Sequence, residues 1–392
     1  MLKNNRRLLV IAAVTLVGAL GYGIVIPILY PYSVKYGLSD FQNGILFSTF
    51  AIFQFLSTPI IGILSDKYGR RPLLIISLLG TTGSFFLTAF APNVFFLFLS
   101  RIIDGITAGN IPVAQAVIAD SIEEKDRAKG FGIIGACFGI GFIAGPAIAA
   151  LTVGISIKLP FIIAGCISFL AVLLTIFLLD ETNRNIGKTS RQKMFDWKKL
   201  AGAVFDQNTG KTLLISLLWS FAFGMYIYAF QPFSAKALHL SERNVSLIFV
   251  LFGVIGLISQ IVLIGRINKA LGPLKAFSAA LGVLAVSFIL FFFSQNIIHL
   301  IVASIIMGIA NSTVQTMIQT ILSQETTPER QGEIMGLNAS YMSIGQILGP
   351  IAGGSIALLA IYYPFLAGSI IIFIAFLVAR NIRINSTPAK IN

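Results

Sequence analysis

The sequence predicts an all-α polytopic membrane protein, with twelve transmembrane helices in two pseudo-symmetric six-helix bundles. Three observations carry this. Of the 392 residues, 56% are hydrophobic and only 11% charged, whereas a soluble domain needs about 25% charged residues to cover its surface. The 28 Lys and Arg sit in short gaps between apolar runs and not in a patch among aromatics, which excludes a nucleic-acid binder despite the net charge of +13. Glycines also recur in register. Gly62, Gly69 and Gly105 return at an offset of 203 as Gly265, Gly272 and Gly308. Gly132, Gly141, Gly145 and Pro146 return at 204 as Gly336, Gly345, Gly349 and Pro350, which marks a duplicated bundle.

A hydrocarbon core of ~30 Å takes ~20 apolar residues per helix. Stretches of that length are centred on 8–30, 42–64, 72–91, 94–119, 131–153, 160–179, 212–233, 244–265, 274–293, 297–322, 334–359 and 362–380. The first follows Lys3, Arg6 and Arg7 but exceeds a signal-peptide core and lacks a convincing cleavage site, so it reads as an uncleaved span. With the N-terminus inside, about 23 of the 28 basic residues fall on the cytoplasmic side, and the positive-inside rule puts both termini there. The expected organisation is a first bundle over 1–180, a basic cytoplasmic linker over 181–211 and a second bundle over 212–392. In the linker Met194, Trp197, Ala201 and Val204 share helical spacing; the segment is either an interfacial helix beside anionic lipid or a solvated basic linker. Cys137 and Cys166 lie in apolar runs, and no metal site or cofactor is expected.

Of the charged residues, only Arg101 and Asp104 lie well inside a span. Their spacing of three puts both on one face, with Ala108 and Gln115 continuing the stripe. A carboxylate in hydrocarbon is functional or paired. Asp104 either loads and releases a proton as its surroundings alternate between wet and closed, or forms a permanent structural pair with Arg101. At the repeat offset these positions become Ser304 and Met307, so the charge belongs to the first half alone. The second half offers Asn311, Gln315 and Gln319 at a spacing of four, the aromatic stripe Trp219, Phe223, Tyr226 and Phe230, and a third face with Asn338 and Tyr341. Tyr22 in span one is a further cavity candidate. A neutral aromatic and amide wall suits a small amphiphilic substrate, although aromatic stripes also pack or face lipid.

Between spans two and three stands Gly62-Ile-Leu-Ser-Asp66-Lys67-Tyr-Gly69-Arg70-Arg71. It resembles, at every position, the signature loop of the major facilitator superfamily, G-x-L-[AS]-D-[RK]-x-G-[RK]-[RK]. Asp120, Arg127 and Gly130 follow as in that family. The resemblance implies a conformational latch of Asp66, Arg70, Arg71, Asp120 and Arg127, with Asp66 facing a helix N-terminus in the other half and Arg70 pairing with Asp120. Span five, with Gly132, Gly141, Gly145 and Pro146, resembles the antiporter motif G-x8-G-x3-G-P-x2-G-G, with Ala149 and Ala150 in place of the last glycines. Tight helix packing alone also selects such residues.

The whole chain is similar to the twelve-span drug:proton antiporter branch, which includes tetracycline and multidrug efflux proteins. That resemblance implies a monomeric, proton-coupled efflux antiporter for small amphiphilic compounds in the cell (inner) membrane, working by alternating access. The alternatives on the same fold are an uptake symporter or a lipid flippase. The family's span-four motif R-x-x-Q-G is met by Arg101 and Gly105, with Asp104 at the usual glutamine. The branch's span-one acid would fall near Gly18, which makes Asp104 a candidate relocated acid. No nucleophile with a paired base and no phosphate cradle is present, so an enzyme is not expected.

Overall fold

A computed structural model describes residues 2–121, 127–183, 186 and 196–382. Among these the ordered elements are all helices. They are α1 (Leu2–Val34), α2 (Asp40–Tyr68), α3 (Arg70–Ala89), α4 (Val94–Thr107), α5 (Asn110–Ser121), α6 (Arg127–Thr152), α7 (Leu159–Leu178) and the short α8 (Trp197–Ala203). There follow α9 (Gly210–Lys236), α10 (Glu242–Ile258), α11 (Ile264–Leu271), α12 (Pro273–Phe292), α13 (Ile297–Gln324), α14 (Gln331–Ala357) and α15 (Tyr363–Ala379). Ten spans among the described residues are long and apolar enough to cross a membrane, α4 with α5 and α10 with α11 each counting as one. They follow the first ten expected stretches in order. Of the last two, α14 has the length but not the apolarity, and α15 is apolar but only 17 residues long.

Local chemistry sets the helix ends. Ser39 and Gln42 form a capping box at the start of α2, satisfying two N–H groups that have no partner within the helix. Asn93 caps α4 by accepting from Phe96 N, and Asn296 caps α13 by accepting from His299 N. The two asparagines are 203 residues apart, the same offset as the glycine repeat. Gly69 and Gly272, another pair at that offset, both have positive φ, at 106° and 74°, where a side chain is strained.

Lipid supplies no hydrophobic drive between helices, so close backbone packing and buried hydroxyl bonds must hold them together. In the first bundle α1 lies against α6, where a Cβ on Gly141 would come within 2.8 Å of the Leu16 carbonyl. Thr82 Oγ1 on α3 donates to Ser168 Oγ on α7 at 2.9 Å. The second bundle repeats these pairings. α9 lies against α14, where a Cβ on Gly345 would come within 2.6 Å of Phe221 N, and Ser369 Oγ on α15 donates to the Ala285 carbonyl on α12 at 3.0 Å.

By internal contacts the chain divides into two units, Met1–Phe195 with Phe230–Gly253, and Asp196–Ala229 with Val254–Asn392. The end of α9 and the start of α10 belong with the first unit because Lys236 Nζ bonds Asp40 Oδ2 at 2.7 Å and Tyr30 N donates to Gln231 Oε1 at 3.2 Å. The linker from Asp196 belongs with the second, because Tyr341 Oη donates to the Leu200 carbonyl at 2.6 Å.

Candidate functional site

In the first unit the charged pair occupies the eighth and eleventh residues of α4, which puts Asp104 about 15 Å along the helix at 1.5 Å per residue. Arg101 is 2% exposed and Asp104 7%, with Arg101 Nη1 3.3 Å from Asp104 Oδ2. The guanidinium is only partly satisfied, since its Nε and Nη2 are buried without a hydrogen-bond partner. Thr81 and Ser84 on α3 present hydroxyls to the carboxylate. A buried donor without a partner costs about 1–3 kcal/mol.

Span four is broken just beyond the pair. α4 ends at Thr107 and α5 starts at Asn110. Pro112 has no N–H to offer the Ala108 carbonyl, and Ala108 N turns back to the Gly105 carbonyl at 3.2 Å. The same carbonyl accepts Ser57 Oγ of α2 at 3.0 Å. α2 presses on the break: a Cβ on Gly105 would meet the Phe50 carbonyl at 2.6 Å, and one on Gly109 would meet Ile61 at 2.6 Å. Interrupted spans that free backbone groups inside a bundle are a transporter's usual way of building a midplane site. The break also ends the stripe expected through Ala108 and Gln115, and Gln115 is exposed on α5. Asn110, 3% exposed, takes the space opposite Gly18, with its amide 3.8 Å from where a Cβ there would stand. Tyr22 on α1 is 37% exposed, stacked on Phe142 and tilted against Phe50.

In the second unit Trp219 Nε1 donates to Asn311 Oδ1 at 2.9 Å, joining α9 to α13. Trp219 stacks on Phe223, and Phe223 on Tyr226, with centroids 5.9 and 6.0 Å apart. Ser304, at the position equivalent to Arg101, stands beside the Tyr226 hydroxyl. Gln315 and Gln319 are exposed one and two turns beyond the buried Asn311. Asn338 is buried on α14 with its Oδ1 unpartnered. Tyr341 is buried on α14, and its hydroxyl donates to the Leu200 carbonyl of the linker at 2.6 Å.

The signature loop is a charge network inside the first unit. Arg70 bonds Asp66 at 2.6 Å and Asp120 at 3.2 Å, and its Nη1 donates to Ser65 Oγ at 2.6 Å. Asp66, with its side chain 53% exposed, is thus engaged by Arg70 in its own unit. Arg71 Nη2 donates to the Ile176 carbonyl at 2.7 Å. The side chain of Arg127 and the residue Met194 lie outside the described residues. A residue missed in the sequence organises this corner: the Glu181 carboxylate accepts the N–H of Arg70 at 2.9 Å and of Arg71 at 3.1 Å. It places a negative charge at the positive end of α3. A Cβ on Gly69 would come within 2.4 Å of Glu181 Oε2, so this glycine is needed for space as well as for its φ. The available signal is an acid directly after span six, hidden among the linker's bases.

Signature loop, paired bundles and broken span together describe a transporter, and the profile of the Major Facilitator Superfamily matches residues 11–233 and 212–391. The chain belongs to that superfamily. Among relatives of this major facilitator protein, the class C tetracycline resistance protein of Escherichia coli is 30% identical over 89% of both chains. The quinolone resistance protein NorA of Staphylococcus aureus is 28% identical, covering 91% of this chain and 92% of its own. A bacterial homolog of the human lysosomal transporter Spinster shares the fold with a TM-score of 0.80 at 17% identity, covering 97% of this chain and 98% of its own. As a major facilitator, the protein is a multi-pass membrane transporter and not an enzyme.

A further carboxylate of this major facilitator stands in a shielded place outside both the loop and the pair. Glu325, just past α13, has both carboxylate oxygens shielded from solvent. Burial pushes its carboxyl up from 4.5 to about 7; the charge of Asp206 adds to this, while Thr212 and Lys211 oppose it. A raised carboxyl contributes its stability at low pH and loses it as pH rises from the ordinary value through about 7. Glu325→Gln is therefore expected to be nearly neutral at pH 5 and to raise the melting temperature by about 1–3 °C at pH 8, the partial exposure discounting the effect. Thermal unfolding in detergent at the two pH values checks this, and equal shifts at both would refute it.

Proposed function

We propose that the protein is a proton-coupled efflux antiporter for small amphiphilic compounds, with both termini cytoplasmic in the cell membrane and Asp104 carrying the proton. The observation that bears most weight is the partly satisfied Arg101–Asp104 pair, buried beside a broken span. A carboxylate at such a site exchanges a proton when water reaches it from one side and re-forms the ion pair when the proton leaves. The relatives named for tetracycline and quinolone resistance support export of amphiphilic drugs. The aromatic run from Trp219 to Tyr226 offers flat apolar faces, and Asn311 and Asn338 offer adaptable hydrogen bonds.

Transport in proteoliposomes under an imposed pH gradient tests the reading, with tetracyclines, cationic dyes and lysolipids compared. An acidic exterior should accelerate exit of a tetracycline or dye, and dissipating the gradient should stop it. Transport that persists under a collapsed proton gradient but follows sodium would refute proton coupling; lysolipid as sole substrate would favour a flippase.

A further inference from the structure

The linker helix α8 has no buried residue. Trp197 is 57% exposed and Phe205, in the turn beyond α8, 83%. The apolar span α9 begins at Gly210, only five residues past Phe205, so this turn stands close to the end of a span, and Trp and other amphipathic anchors concentrate where spans meet the headgroups. Lys198 is exposed beside them, and Lys199 is 50% exposed, its Nζ 3.1 Å from Glu333 Oε1 on α14. Arg330 contacts the same carboxylate oxygen at 3.6 Å, so Glu333 keeps a partner if Lys199 leaves. From 184 to 211 the sequence carries seven bases and two acids, and one of those acids, Asp196, caps α8 by accepting from Lys199 N at 3.0 Å.

We infer that α8 with Phe205 is a seat for anionic phospholipid headgroups: Trp197 and Phe205 enter the interface, Lys198 and Lys199 take the phosphate, and Lys199 exchanges Glu333 for it. Exposed aromatics next to surplus positive charge suit an anionic lipid surface better than a zwitterionic one. The seat is mechanically connected, because Tyr341 on α14 holds the Leu200 carbonyl of α8. Lipid bound to the linker therefore acts on the helix that also carries Asn338 and the packed glycines Gly345 and Gly349, and the transport rate should follow the anionic lipid content. This inference is independent of the direction and coupling ion of transport.

The chain has two tryptophans, Trp197 and Trp219, so the difference between the full chain and its Trp197→Phe variant isolates the emission of Trp197. We expect phosphatidylglycerol with brominated acyl chains to quench that emission about two-fold more than brominated phosphatidylcholine at equal mole fraction. The preference should fall at 0.5 M salt, where screening lengths shrink to about 4 Å. It should vanish in Lys198→Gln/Lys199→Gln and grow in Glu333→Gln, which releases Lys199. The initial transport rate in phosphatidylcholine vesicles should rise several-fold when phosphatidylglycerol is included, and should not do so in the double lysine variant. Equal quenching by the two lipids, or a preference that survives loss of both lysines, overturns the inference. So does a shift of Trp197 emission by soluble polyphosphate in pure phosphatidylcholine without any lipid preference, which would assign the surface to a soluble anion.

Discussion

Asp104→Asn is expected to reduce gradient-driven transport to background while leaving downhill movement of a neutral substrate partly intact, and Asp104→Glu is expected to retain some coupling. Asparagine keeps the size and hydrogen bonding of the protonated acid but has no proton to release. A purely structural pair predicts something else. Arg101 already has two buried nitrogens without partners, and removing the carboxylate from such a cation costs about 3–5 kcal/mol, which would appear as lost folded protein. The double variant Arg101→Gln/Asp104→Asn removes both charges. It should restore folded yield if the pair is structural, yet stay inactive against a gradient if Asp104 carries the proton. Full gradient-driven transport by the double variant, measured in proteoliposomes, would end the proposal.

The second large effect is expected at the glycines of the fifth and eleventh predicted spans. A Cβ on Gly145 would stand 2.5 Å from the Leu20 carbonyl and 2.7 Å from the backbone of Gly23, and one on Gly349 would stand 2.6 Å from the Phe221 carbonyl. The obstacles are backbone, which cannot rotate away, so Gly145→Ala and Gly349→Ala must push α6 from α1 and α14 from α9, at about 1–3 kcal/mol each. Gly132 and Gly336 have nothing within 4 Å, so alanine there should be tolerated or gain up to about 1 kcal/mol of helix propensity. Thermal stability and transport of the four variants decide the point. We expect at least a roughly ten-fold loss of transport, about 1.4 kcal/mol in free-energy terms, for the packed pair and no loss for the open pair. Equal damage at Gly132 and Gly145 would show that the motif acts by something other than close packing.

These glycines also show how far the sequence is legible. Their spacing and the fixed offset between halves point to a duplicated bundle, but not to which members touch a neighbour. Gly132 and Gly145 look alike in the sequence; one faces open space and the other a backbone. Span four divides in the same way. The charge pair stands out because lipid penalises every unneeded charge, whereas the apolar run across Ala108 and Gly109 suggests one continuous helix where the chain in fact breaks. The signal for the break, Pro112 four residues after Ala108, is weak because prolines also lie inside α1, α2 and α6.

The sequence by itself determined the class of the molecule, the place of its first ten spans and its signature loop. These follow from apolar length, from the cost of charge in hydrocarbon and from a motif contiguous in the chain. Only the tertiary structure decided that Glu181 holds the start of α3, that Asn110 stands opposite Gly18, that Tyr341 bonds the linker and that Lys236 ties the end of α9 to Asp40. Each of these joins residues from about 90 to 200 positions apart. A hydrogen bond or ion pair made across such a distance leaves no local periodicity, and it exists only once helix packing has brought its two ends together.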